Sequence, residues 1–208
     1  MRETIDHVDE KVFARVWPLV SEIGVQERHF NGLQSTYRNM ASAWLLATFG
    51  AMGFALTQRL PAGIDYELVL AAMALAGSAG IVLLWILDLM VYQRLLDACF
   101  VEGLILEKQR PWLPPLRSNM IASQKGRRVV FLFRVVGFYL APVVLLLTVG
   151  SGAVALWFAR HQREELAPPI ALGGLVLACA AGFVIYHQTH ANDIVERRLA
   201  EAIVEPTA

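Results

Sequence analysis

Four long apolar runs, almost free of charge, constrain this chain more than any other feature of its sequence. They cover residues 41–57, 68–91, 129–158 and 169–186. A bilayer core of about 30 Å takes roughly 20 apolar residues of helix to cross, and each run is near that length or longer. The first is short but carries no charge. The second holds one acid, Asp88, near its end, and the third one base, Arg134, near its start. Backbone polar groups left open in lipid are too costly, so such runs are expected to be helices. They are continuous rather than alternating with period two, which argues against a β-barrel. The expected fold class is an all-α membrane protein with four transmembrane helices. The third run is long enough to tilt, or to bend at Pro142.

Composition supports this reading. Hydrophobic residues make up 56% of the 208 and charged residues 17%, where about 25% charged is ordinary for a soluble domain. The net charge is zero, so no direct nucleic-acid partner is expected. Cys99 and Cys179 lie far apart in apolar helical sequence and match no metal or redox spacing, so both are read as packing residues. Residues 1–40 show no signal-peptide pattern, so the first span is expected to direct insertion.

Lys and Arg set the orientation. Residues 1–40, the segment between the second and third spans, and the C-terminal tail together hold fourteen, against three (Arg59, Arg160 and Arg163) on the other side. Positive residues stay on the cytoplasmic side, so both termini are placed there. Trp44, Tyr66, Trp157 and Tyr186 fall near span ends, where interfacial aromatics belong. The external loops are too short to fold into a ligand-binding domain.

Several spans continue beyond the bilayer as long cytoplasmic helical extensions. The second is expected to run as helix from 67 to 109, until Pro111, Pro114 and Pro115 end it, with Trp112 among them near the membrane interface. Residues 25–40 extend the first span backwards and 118–128 the third. Past the fourth span, Ile194, Val195, Leu199, Ile203 and Val204 form an apolar stripe. The extensions either pack as a stalk or protrude separately. Residues 1–24 form a distinct N-terminal amphipathic helix, with Ile5, Val8, Val12, Val16 and Leu19 on one line and its end marked by Pro18 and Gly24; the bundle and its extensions occupy 25–208.

Few residues carry chemistry. Asp88 and Arg134 are charges at membrane depth on consecutive spans, near the inner mouth; they read as a salt bridge between helices or as part of a charged vestibule ring. His187, His190 and Asp193 share one helical face, which is either a polar helix end or a metal- or proton-binding face. Ala72, Ala76 and Gly80 recur every four residues, as do Gly174, Ala178 and Gly182, and such stripes let helices approach closely within a bundle or between subunits. Ser151 sits between Gly150 and Gly152 without a base near it in sequence. Phosphate-binding loops, GxSxG, CxxC and HExxH are absent, so neither an enzyme nor a bound cofactor is expected.

The stretch QERHFNGLQSTYRNMASAWLLATFGAMGF (26–54), followed by a span that runs on into a long polar helix, resembles the SLATT-type and four-helix membrane effectors of bacterial anti-phage systems. The resemblance covers about 25–110 and lies in layout and residue types. It implies a homo-oligomer that permeabilises the inner membrane when triggered. Such effectors often keep a nucleotide-sensing domain on the chain or beside it; none is read here, and no functional residue carries over. Three functions are therefore weighed. The first is an oligomeric pore or gate. The second is a non-conducting scaffold or sensor that recruits a soluble cytoplasmic partner. The third is a membrane enzyme or small transporter, for which only Pro142 and the glycines of the fourth span speak.

Overall fold

The computed structural model describes residues 10–58, 61, 63–124, 128–161 and 164–191; at 124, 128–136, 164, 175, 185, 186 and 188–191 it describes the backbone alone. Among the described residues the secondary structure is entirely helical. The elements are α1 (Glu10–Thr57), α2 (Tyr66–Trp85), a π-helical segment (Ile86–Tyr92), α3 (Gln93–Gln109), α4 (Leu116–Gln124), α5 (Arg128–Arg160), a 3-10 turn (Glu164–Leu166) and α6 (Ala167–Ala191). Among the described residues four helices are long and apolar enough to cross a membrane: Glu10–Thr57, Tyr66–Gln109, Gly137–Arg160 and Ala167–Val184.

The uninterrupted course from Tyr66 to Gln109 agrees with the helix expected over 67–109. The break expected at Pro18 and Gly24 is absent: α1 runs through both, for 48 residues or about 72 Å. Proline removes a helix hydrogen bond, yet the helix continues through it, and the residues just before it make contacts of their own. Val16 is buried, Phe13 stacks on Trp17 at 5.5 Å, and Phe13 meets Trp112 at 5.7 Å. Trp112 thus packs against α1. Pro142 likewise lies inside an unbroken α5. Residues 1–9, the join between α4 and α5 at 125–127, and the stripe at 194–204 lie outside the described residues.

The chain divides into two compact units. Among the described residues the first takes 10–35 and 88–131, the second 36–87 and 132–191. In the second unit Met52, Ala74 and Leu146 form the core, with Leu45, Leu70, Met73 and Val149 packed around them. The buried positions keep a coiled-coil spacing. On α5 they include Tyr139, Val143, Leu146 and Ala153; on α2 Glu67, Ala74 and Ile81 recur by sevens. At the turn into α2, Gly63 adopts φ +95°, a left-handed conformation that glycine takes without a Cβ penalty, and Ile64 N donates to Pro61 O at 3.2 Å. Pro168 and Pro169 fall in the first turn of α6, where a missing N–H costs nothing.

Candidate functional site

Two polar clusters organise the first unit. One centres on the π-helical segment. Inserting a residue into a helix widens it and re-aims its carbonyls, and such bulges recur at functional positions. Asp88 is fully buried on this segment, and its backbone carbonyl accepts a hydrogen bond from Gln34 Nε2 at 3.4 Å. The same amide donates to Gln93 Oε1 at 2.8 Å, and Gln93 Nε2 donates to Asp97 Oδ1 at 2.8 Å. Gln34 therefore ties α1 to both the π segment and the first turn of α3. Its own burial would be costly without these partners, about 1–3 kcal/mol for an unsatisfied amide.

The second cluster is an ion triad. The Arg117 guanidinium lies 2.8 Å from Glu27 on α1 through Nε and 3.4 Å from Glu107 on α3 through Nη1. Glu107 also accepts from the backbone N–H groups of Arg117 and Ser118, at 2.9 and 3.2 Å, and from Ser118 Oγ at 3.3 Å. Its carboxylate thus fills the capping role at the start of α4, where N–H groups lack intrahelical partners. Gly103 makes room for the triad: a Cβ there would overlap the Arg117 guanidinium. Cys99 lies nearby, outside the span expected at 68–91. Burial, and then the Glu27 carboxylate, push its thiol above the ordinary range.

The second unit has its own polar cluster, joining the start of α2 to the end of α5. Asp65 is the N-cap of α2 but makes no side-chain cap; its carboxylate instead accepts from Trp157 Nε1 at 2.6 Å. His161 Nε2 stands 3.9 Å from the same oxygen, and the His161 and Trp157 rings lie 4.5 Å apart. Glu67, buried, pairs with Arg160, whose side chain is 70% exposed. Deeper in the unit, Trp44 Nε1 donates to Gly77 O at 3.1 Å, and its indole lies where a Cβ on Gly80 would be. A cleft of about 490 Å³ opens between α2, α5 and α6, and its lining is apolar apart from Ser151.

The residues expected from sequence fall variously. Asp88 is fully buried in the first unit. The Arg134 side chain lies outside the described residues, and the proposed pair with it. His187 is exposed, its ring tilted against that of Phe183 at 5.9 Å; the His190 side chain and Asp193 lie outside the described residues. No group of three or more His, Cys, Asp or Glu suited to a metal occurs among the described residues. On α6, Gly174 abuts Ser151, Ala178 is fully buried and Gly182 abuts Leu140. On α2, Gly80 makes a close contact while Ala72 and Ala76 are exposed; the small residues packed inside the unit are Ala74, Gly77 and Ser78.

Sequence reading missed Gln34, Glu27, Glu107, Arg117, Asp65 and Glu67. One signal was present for Gln34. It lies seven residues before Ala41 and fourteen before Thr48, on the buried seam of α1. The triad gave none, because Glu27 and Arg117 are ninety residues apart. No family model matches the chain, and neither a curated protein nor a solved structure matches it.

Proposed function

We propose that this chain is a multi-pass protein of the bacterial inner membrane, both termini cytoplasmic, that assembles as a homo-oligomer and forms or gates a pore. In this reading it is a membrane effector of the kind found in SLATT-like defence systems. One observation carries most weight. The apolar windows of the four candidate spans are only 22%, 28%, 22% and 12% buried by their own chain. Leu46, Leu75, Leu172 and Phe183 are among the large apolar side chains left exposed. That much apolar surface calls for lipid, for other copies, or for both. The cleft in the second unit is apolar, so a conduction path would be built between copies. Native mass spectrometry of the extracted complex, followed by ion flux in liposomes, tests the proposal. A closed ring of about four or more copies with flux supports it; a monomer or dimer without flux overturns it.

A scaffold reading has its own support. Phe13 and Trp17 are 43% and 47% exposed beside Trp112, an aromatic patch in the first unit suited to a soluble partner. Replacing both by serine should then abolish recruitment and leave any flux intact.

A further inference from the structure

We infer that the cleft between α2, α5 and α6 holds one acyl chain of a bilayer phospholipid whose phosphate sits at Arg160. This inference rests on the membrane reading above and adds a ligand to it.

The cleft belongs to the second unit, among helices apolar enough to span a bilayer. Ala71 and Ala72 of α2, Gly150 of α5 and Gly173 of α6 line it, so its walls are low and smooth. Leu75 and Leu177 stand at its sides, 65% and 67% exposed, which marks the side open to surroundings. Its one hydroxyl, on Ser151, donates to Thr148 O at 3.1 Å within its own helix and offers the cleft no donor. A ligand there needs a purely apolar part.

The size of the cleft suits a hydrocarbon chain. At about 490 Å³ it lies within the range of about 300–1,000 Å³ found for small-ligand sites. A flexible chain can lie along it and fill it.

Charge fixes the other end of the ligand. Glu67 is one helical turn before Ala71, on the same face of α2, and it holds Arg160 by an ion pair. The Arg160 side chain remains 70% exposed beyond this pairing, so part of its guanidinium stays open at the polar end of the same helices. Guanidinium recognises phosphate with paired, charge-assisted hydrogen bonds. An anionic headgroup above an apolar groove is the arrangement of a phospholipid.

The test uses the full chain in membranes and a phospholipid carrying a photoactivatable group in one acyl chain. Adducts are expected on 146–154 and 170–177. Gly173 lines the cleft and has open space where a Cβ would stand, so Gly173→Leu adds bulk at the cleft wall, and these adducts should fall about tenfold, the scale of losing a buried chain segment. Gly152 is equally open but lies outside the cleft, and Gly152→Leu should leave them unchanged. A diacylglycerol probe without phosphate should label about tenfold less than the phospholipid, the scale of one charge-assisted contact, and Arg160→Gln should erase that difference. Equal labelling of all four span helices, or no effect of Gly173→Leu, overturns the inference. So does a wild-type cleft that takes no adduct while Gly173→Leu lowers the subunit count, which would assign the cleft to a second copy. Failure of the membrane reading would show separately, as loss of the chain from carbonate-washed membranes.

Discussion

Replacing Arg117 by methionine should release α4 from the first unit, and the structure sets the size of the effect. The guanidinium serves two carboxylates of unequal burial: the Glu107 side chain is 4% exposed and that of Glu27 21%. Glu27 can recover water when the cation is lost. Glu107 cannot, and would remain a buried anion supported only by the Arg117 and Ser118 backbone N–H groups and the Ser118 hydroxyl. Removing one member of a buried ion pair costs about 3–5 kcal/mol. With part of the charge already stabilised by those three donors, about 3 kcal/mol is expected. Hydrogen exchange of the α4 amides, followed by mass spectrometry, reads this directly. Exchange should speed by about a hundredfold, at 1.4 kcal/mol per tenfold. Glu27→Gln should cost about 1 kcal/mol, as a partly solvated partner. The double variant Arg117→Met with Glu107→Gln should recover more than half of the loss, because the amide oxygen still accepts from α4 without a stranded charge. Exchange in Arg117→Met within about twofold of wild type would refute the reasoning, as would a double variant no better than the single.

Gly103→Ala should reproduce much of the Arg117→Met defect, because the new methyl displaces the guanidinium, and combining the two changes should add little further exchange at α4. Gly80→Ala pushes against the Trp44 indole and should cost about 1–3 kcal/mol, read as a shift in tryptophan emission and a lower melting temperature, while Gly53→Ala, with no atom within 4 Å, should be close to neutral. Gln34→Leu removes the donor to Asp88 O and to Gln93 and should cost about 1–3 kcal/mol, with faster exchange confined to the π segment and the start of α3. Cys99 should alkylate slowly at neutral pH and need more alkaline solution than a free thiol, since burial and Glu27 disfavour its thiolate. Its folded pKa is raised, so its contribution to stability is complete below the unfolded thiol's pKa and is lost as pH rises through the folded value.

How much was legible beforehand differs between the helices and their contacts. Helix and span length follow from hydropathy along the chain, so the helix from Tyr66 to Gln109 and the four candidate spans could be read directly. The same local information misplaced the end of the first helix. Pro18 is a helix breaker by its own chemistry, yet α1 continues through it, with Val16 buried and Phe13 against Trp112 in the turns before it. Of the small residues at spacing four on α2, Gly80 packs against Trp44 while Ala72 and Ala76 are exposed, and the face packed inside the unit also carries Ala74, Gly77 and Ser78. A helix with apolar residues all round gives no signal of which face turns inward. The π segment, the partners of Gln34 and the Glu27–Arg117–Glu107 triad were invisible for a related reason. Each depends on residues brought together by helix crossing, and hydropathy records only a residue's own preference for lipid or water. The sequence by itself thus determined that this chain is helical and apolar enough to span a membrane four times. Only the tertiary structure decided which polar side chains meet, because pairing energy belongs to two residues and is written in neither.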